Sequence, residues 1–584
     1  WDFRKTITEV VKDNFFGVLS EYCRQHGLKH YVEGFACGVG TFMGDPLMAY
    51  LNCDVPMTEA GPSTREASSA AHLKGDKLVA VEAHTSAADW SRTPRDFKPR
   101  EDAHFRHGIT RIIYHGGGHN PKPEWRFPGL AFGCYGTEIP PGQTWAKYMR
   151  SWQDYLARCQ YMLRRGAFVA DVLAFAGEDY GGHVVGVYEN GHSECGASGR
   201  DRMKGLPAGL DYDLVNAEFL KRLSVFADGT IGCAGNPEAT RYRALVLRER
   251  DSEMSVGTAR EVLRLVRAGA TVVGPKVVKA LGNPENAAAA DAEVAAIGAE
   301  LVKSGRCLST IDELGLTPDF VVRNARAGED VNYLHRRDGG TDVYYVVRWN
   351  RLGADARMGF RVTGKVPEIF DPLTGEIAEA AEFSMEDGYT YLPAIPCDAK
   401  EATRFVVFRK STAETVRTAR VRKASVVEVN PEWTIGFKDE LGVDTTIVTN
   451  RLFDWSTHGN PEIATFSGTA VYRATITLPS GFSTPGSSLR LKLGRVEELC
   501  EVLVNGRSCG IAWTEPYEVS SDCLETGENV LEIQVTNLWP NRLILDSGLP
   551  ESERLTHTNI NPYKPEDKPL PSGLLGPVKL SFHK

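Results

Sequence analysis

The sequence predicts a multidomain α/β plus β protein: the C-terminal half of a (β/α)8 barrel, a small doubly wound α/β domain, then two β-sandwiches. Three observations carry this. Residues 1–165 alternate helical and strand-like stretches whose strands are apolar throughout, the pattern of a parallel sheet covered by helices. A second alternating block fills 166–335. From about residue 336 the helical period disappears, and short alternating strands punctuated by Gly, Pro and Asp take over. At 584 residues the chain has length for roughly four domains, with boundaries at 1–165, 166–335, 336–412 and 413–584.

Taken in order, residues 6–26 read as a long amphipathic helix ended by Gly27. Strands follow at 30–36 (HYVEGFA), 53–59 (CDVPMTE), 77–86 (KLVAVEAHTS) and 109–117 (ITRIIYHGG). A small-residue helix stopped by Gly75 precedes the third, and a helix over 94–107 with Pro94 in its first turn precedes the fourth. Four strands are half of a closed barrel, and half a barrel leaves edges unpaired and apolar faces uncovered. The barrel's N-terminal half is therefore expected on the same polypeptide, before residue 1. The opening WDFRKTITEVV has no initiator Met, basic n-region or apolar h-region, so no secretory signal is readable: it was removed, or the chain is a piece of a longer protein.

In the second block, 167–177 reads as a strand, 211–223 as a helix, 242–249 as a strand, 258–269 as a helix and 270–275 as a strand. An Ala-rich helix over 286–304 lacks an equally clear partner strand. No GxGxxG or P-loop follows a strand, so a nucleotide role has no support. Beyond 336, short strands such as TDVYYVVRWN and TRFVVFRK build the first sandwich, the polar stretch 411–425 is a linker, and a second all-β unit follows. Its VNG at 504–506 is an Asn-Gly hairpin signal.

Lys plus Arg total 67 against 76 for Asp plus Glu, a net charge of −9 spread along the chain, which excludes the basic footprint of a nucleic-acid or anionic-membrane partner. No apolar run is long enough for a bilayer span. Twelve cysteines without a CxxC pair read as small buried hydrophobes rather than a zinc site or a disulfide framework.

In a parallel barrel the reacting groups sit at the C-terminal ends of strands. Glu33, Glu59 and Glu82 fall there, and Glu82 is the sharpest candidate because it follows the apolar LVAV and precedes small and hydroxylated residues. Glu33 and Glu59 are equally compatible with capping a helix or pairing with Arg. Asp54 adds an acid near Glu59, and oxygen ligands on adjacent strands suit a hard cation such as calcium, although the spacing is no EF-hand. His30, His84, His115 and His119, with Trp90, Tyr114 and Trp125, would make a polar and aromatic pocket suited to a sugar; ordinary loop residues are the plainer reading. The Gly-rich 116–121 runs into Pro121 and Pro123 instead of opening a helix, so it reads as an active-site loop and not a phosphate cradle. No GxSxG elbow is present and no cysteine stands in an electropositive setting. Paired carboxylates, as in glycoside hydrolysis, fit best and need no organic cofactor.

The succession YCRQHGLKHYVEG, CDVPMTEAG, SSAAHLKGDKLVAVEAHTS, TPRDFKPREDAHFRHGITRIIYHGGGHNP and PGLAFG resembles the C-terminal half of the catalytic barrel of glycoside hydrolase family 106, the α-L-rhamnosidases. The ending GRVEELCEVLVNGRSCGIAW with NVLEIQVTNLWPNRL is similar to their galactose-binding-like sandwich, also found in family 2 glycosidases. The resemblance implies release of terminal α-linked L-rhamnose with inversion, by a general acid and a general base, with calcium near the sugar and a periplasmic or extracellular location. Its AEAFTS-like strand matches VEAHTS and makes Glu82 the base. Its DIPE-type strand matches DVPMTE, where Met57 replaces a frequent acid and leaves Glu59 as the nearby carboxylate. The other catalytic carboxylate is expected on an earlier strand, before residue 1. A β-galactosidase-like glycosidase and a noncatalytic carbohydrate-binding protein are the competing readings. Trp513, Trp539, Asn541 and Arg542 would line a sugar site in the last unit, or dock it onto the barrel.

Overall fold

The computed structural model describes residues 1–584 except 35–43, 60–63, 86–88, 117–126, 134–138, 140, 181–186, 188–202, 237–238, 284, 327–330, 349–351, 354, 395–401, 419–423, 479–487, 521–522 and 584, and except the side chains of 348, 424, 425, 488 and 583. Helices α1 (Asp2–Val11) and α2 (Val18–Gln25), joined by the π-helical Lys12–Gly17, run continuously up to Gly27. That glycine takes a φ of 68°, the left-handed geometry that ends a helix without a Cβ penalty.

Strands β1 (Tyr31–Glu33), β2 (Val55–Glu59), β3 (Ala80–Ala83) and β4 (Arg111–Tyr114) form a parallel sheet in that order. The connections carry α3 (Pro46–Tyr50), α4 (Thr64–Lys74) and α5 (Pro94–Arg106), and α6 (Met149–Leu163) follows β4. Side chains alternate across a strand. Val32, Thr58, Val81 and Ala83 are buried on the helix-covered face, whereas Glu33, Met57, Glu59, Glu82, Arg111 and Ile113 share the other, half-buried face. Glu33 stands opposite Met57, Met57 opposite Ala80, and Glu59 opposite Glu82.

The small residues of α4 now have a cause. The helix lies between β2 and a strand of the second sheet, and residues 64–73 are all buried. Ala67, Ala70 and Ala71 admit that close approach. Several of its polar groups find partners across the sheets: Arg65 Nη1 donates to the Tyr212 carbonyl at 3.2 Å, Ser69 Oγ donates to Asp213 at 3.0 Å, and His72 Nδ1 lies 3.0 Å from the same carboxylate.

The second sheet is parallel throughout, and its five strands, Val172–Phe175, Tyr212–Val215, Ala244–Val246, Thr271–Val273 and Cys307–Leu308, lie in chain order 2-1-3-4-5. Two readings need correction. Residues 211–223 are not one helix: Tyr212–Val215 is a fully buried strand, and only Ala217–Leu220 is helical, started by Asn216, whose side chain accepts from the Phe219 amide at 2.9 Å. Residues 167–177 are two strands, because Ala167–Phe168 pairs antiparallel with Arg336–Arg337 in the next unit. The Ala-rich helix, Ala287–Lys303, does have a strand after it, the two-residue Cys307–Leu308.

Two antiparallel sheets follow and share a core of Phe320, Tyr344, Met358, Phe360, Val406 and Phe408. Val416–Arg417 belongs to the first of them, pairing with Phe383–Ser384, so the polar stretch after 411 begins inside this unit. The last unit packs a four-stranded and a six-stranded antiparallel sheet around Trp433, Trp455, Tyr472, Leu491 and Ile533. Its VNG turn is a tight hairpin with positive φ at Asn505 (51°) and Gly506 (78°). Among the described residues no helix is long and apolar enough to cross a membrane.

Candidate active site

Three carboxylates occupy the C-terminal ends of adjacent strands on the half-buried face of the first sheet. Glu59 and Glu82 are direct ladder neighbours, so their backbones are about 4.8 Å apart. Burial, then the negative charges of Glu82 and Glu59, push the Glu33 carboxyl up to about 7. Its Oε1 is buried and finds no hydrogen-bond partner among the described residues. Glu33 therefore holds its proton to higher pH than an ordinary carboxyl, which lets it donate as well as accept.

His115 follows β4, and its Nε2 lies 3.9 Å from Glu82 Oε1. The ring of Phe132 meets His115 edge-on at 5.6 Å and is 59% exposed. An exposed aromatic face beside a carboxylate and an imidazole offers an apolar surface to sugar C–H groups and polar atoms to its hydroxyls. Sequence reasoning passed over Phe132, although it sits in the PGLAFG segment.

The remaining histidines divide. His84 is buried, with Nε2 3.6 Å from Glu101 Oε1, and His104 Nδ1 lies 3.0 Å from the other Glu101 oxygen. Burial pushes the His84 ring down to about 4. Burial opposes ionisation of Glu101, yet His104 and His84 hold its carboxyl below the usual range. This group thus lies behind Glu82 and supports the strand end from inside. His30 and Asp54 precede β1 and β2, at the opposite end of the sheet from the carboxylates. The His30 amide donates to Asp54 Oδ2 at 2.8 Å, His30 Nδ1 lies 2.8 Å from Ser20 Oγ, and burial lowers the His30 ring. Five residues of strand separate Asp54 from Glu59, roughly 16 Å, so the two do not share one calcium ion. Among the described residues no group of three or more His, Cys, Asp or Glu is gathered to hold a metal. His119 and Trp125 lie outside the described residues.

Trp90 is buried and not open to the mouth. It packs with Ala131, Trp539 and Leu543 in a small core that joins the loops after β3 and β4 to the last unit. His84 and Trp90 bracket the β3 loop with positive φ of 73° and 59°. Such values in bulky residues are strained by about 1–3 kcal/mol each and persist only where packing imposes them. His84 is packed by Phe97, Tyr114 and Trp152 of the first unit, whereas at Trp90 the packing comes from the C-terminal unit. Trp539 Nε1 donates to the Gly142 carbonyl at 2.7 Å, and Tyr563 OH donates to the Asp89 carbonyl at 2.7 Å. The Ala131 amide donates to Asn559 Oδ1 at 2.7 Å, and the His557 amide to the Phe127 carbonyl at 2.7 Å. Trp513 is buried against Trp152 and Tyr155 at 5.4 and 5.7 Å. Asn541 Nδ2 donates to the Leu570 carbonyl and Arg542 pairs with Asp546. These four residues therefore pack and dock.

A second cleft, about 960 Å³, lies over the C-terminal ends of the five-stranded parallel sheet, lined by Phe175, Arg248, Gly274 and Thr310 among others. Its charges are largely spent internally: Arg248 pairs with Asp179 and Asp251, and Lys204 with Glu249. The convergent carboxylates therefore make the first sheet the better candidate for chemistry.

Comparison with known proteins points the same way. The family model described as alpha-L-rhamnosidase, glycoside hydrolase family 106, matches residues 1–385. A rhamnosidase from Novosphingobium sp. PP1Y superposes with a TM-score of 0.88 at 29% identity, over 100% of this chain and 56% of its own. This chain thus spans little more than half the length of that protein. A Formosa agariphila protein with the provisional name beta-glucuronidase is 24% identical, over 100% of this chain and 70% of its own length.

Proposed function

The chain belongs to the alpha-L-rhamnosidase family, glycoside hydrolase family 106, and from that premise we propose that it hydrolyses terminal α-linked L-rhamnose with inversion, using Glu82 as the general base. The observation that carries this reading is the placement of Glu82. It sits at a strand end on the half-buried face, beside Glu59, with His115 at 3.9 Å. We read the four-stranded sheet as part of a (β/α)8 barrel whose interior is that face, and the last unit as a galactose-binding-like sandwich. A periplasmic or extracellular location accords with a glycan substrate.

In this reading the Glu82 carboxylate takes a proton from a water that attacks the anomeric carbon, while a second carboxyl protonates the departing oxygen. Inverting pairs stand about 6.5–9.5 Å apart to leave room for that water. Glu59, one ladder step of about 4.8 Å away, is closer than such a pair requires; its charge instead adds to the burial that raises the Glu33 carboxyl. Glu33, protonated near neutrality, hydrogen-bonds a sugar hydroxyl, and Phe132 stacks on the ring.

The test is a panel of aryl α-L-rhamnoside, aryl β-D-galactoside and aryl β-D-glucuronide with the full-length protein and its Glu82→Gln variant. Rhamnoside turnover that falls roughly 10²–10⁴-fold in the variant, with KM little changed, is expected. Near-normal turnover in the variant would remove Glu82 from the mechanism. Preference for the galactoside or glucuronide would overturn the substrate assignment.

A further inference from the structure

We propose that the cavity lodged between the second parallel sheet, the end of α5 and the antiparallel sheets that follow is a binding site for a neutral sugar. It measures about 410 Å³, within the roughly 300–1,000 Å³ of small-molecule sites and far above the ~30 Å³ share of one water. Its walls come from three parts of the chain: Arg106 at the end of α5, residues 206–212 leading into the strand Tyr212–Val215, and residues of the strands Phe320–Arg323 and Val331–Asp338. None of these residues belongs to the face that carries Glu33, Glu59 and Glu82.

Two buried side chains define the chemistry. Asp211 is 4% exposed and Asn332 5%, and both line the cavity. Asp211 Oδ1 accepts from the Tyr212 amide at 2.9 Å and pairs with Arg65 Nη2 at 3.2 Å. Its Oδ2, in contrast, finds no hydrogen-bond partner among the described residues, and neither does Asn332 Nδ2. Asn332 is turned to the earlier units because side chains alternate along its strand: Tyr333 packs in the core of the antiparallel sheets, while Leu334 joins the core of the two parallel ones. Buried polar atoms are normally paired, and an acceptor and a donor left open in one cavity cost stability. A hydroxyl group donates and accepts, so it can satisfy both.

Charge and shape narrow the ligand further. The lining holds one acidic and one basic side chain, Asp211 and Arg106, so no net charge favours an ion. Leu206, Pro207 and Val322 add apolar wall for C–H groups. The wall is fixed in advance: the Gly209 carbonyl accepts from Tyr333 OH at 2.8 Å and from the Asp319 amide at 2.7 Å, and a Cβ on Gly209 would stand 1.9 Å from the Phe320 carbonyl oxygen. A rigid site loses little to ordering when it binds. A neutral mono- or disaccharide, with hydroxyls on its edges and C–H groups on its faces, meets these demands.

The full chain is titrated with L-rhamnose, D-galactose and D-glucose, with D-glucuronate as the charged counterpart, and followed by hydrogen exchange and thermal unfolding. A neutral sugar is expected to slow exchange saturably in 206–212 and 331–333 and to raise the thermal midpoint with its concentration. Asn332→Leu and Ala208→Trp should each weaken binding about tenfold or more; Ala208 is exposed at the rim, so a bulky ring there blocks entry without disturbing the core. Glu82→Gln should retain the protection, which separates this site from the carboxylates and lets it stand whether or not the rhamnosidase reading does. Protection of neither segment by any neutral sugar, as for a cavity that holds ordered water only, would overturn the proposal. So would protection unchanged in both blocking variants, its loss in Glu82→Gln, or tighter binding of glucuronate. The exchange map on the unmutated chain does not depend on whether a variant folds.

Discussion

Replacing Glu33 with Gln should make the protein more stable at pH 8 and leave it nearly unchanged at pH 4.5. The carboxyl rises from its ordinary 4.5 to about 7, so the folded state binds its proton more tightly than the unfolded state. Its contribution to stability is therefore full below the unfolded value and is lost as pH rises through about 7. At 1.36 kcal/mol per pKa unit the rise corresponds to roughly 3.4 kcal/mol. The side chain is half-buried and solvent screens about half of this, leaving about 1.5 kcal/mol. Glutamine has no proton to lose, so the variant's advantage over the parent should grow by about that amount between pH 4.5 and pH 8. For a cooperative unit of about 150–250 residues this is roughly 3–6 °C in Tm. Thermal unfolding of parent and variant at both pH values is the assay. A difference that is the same at both pH values would refute the claim that burial and the charges of Glu82 and Glu59 act on this carboxyl. Glu59→Gln and Glu82→Gln remove one of those charges each, and each should move the parent's stability step to lower pH.

Three further outcomes follow from the joints between units. Asp102 is buried and accepts from Lys98 Nζ at 2.6 Å, Thr403 Oγ1 at 2.8 Å, Tyr345 OH at 3.0 Å and also Tyr155 OH. Asp102→Ala removes the carboxylate that pairs with Lys98 and accepts from Thr403 and two tyrosines, and should cost about 3–5 kcal/mol in denaturant unfolding, whereas Lys98→Met with Asp102→Leu should recover much of it. Trp539→Ala removes a stack on Phe127 at 5.5 Å and the bond to Gly142. It should cost about 3–5 kcal/mol and open the segment around Phe132 to limited proteolysis. Gly142→Ala places a Cβ 1.9 Å from the Pro128 carbonyl oxygen, so that backbone must move; a lower Tm and a raised KM for sugar, relative to the parent, are the expected readouts.

The strands of the first sheet were legible because each is a short apolar run ended by a charged or glycine-bearing turn, and Glu82 stood out by breaking one of those runs. The helix expected over 211–223 was misread for a related reason. Tyr212–Val215 is an edge strand covered by α4, so it is buried on more sides than an edge strand usually is, and its pattern shows no period of two. The roles of His84 and Trp90 were also hidden. They lie two and eight residues after Glu82, yet the left-handed backbone at each turns the side chain inward, to Glu101 in one case and to Trp539 in the other.

By itself the sequence determined where the four strands and the flanking helices of the first sheet lie, and that a carboxylate closes the third strand, because periodicity and turn chemistry act over a handful of neighbouring residues. The tertiary structure alone decided which side chains meet at that strand end. Glu33 owes its affinity for protons to burial and to charges on two other strands, and the loop bearing Phe132 is held by residues more than four hundred positions away, such as Asn559. Electrostatic and packing energies depend on distance in space, and no local pattern records a distance that the fold has yet to set.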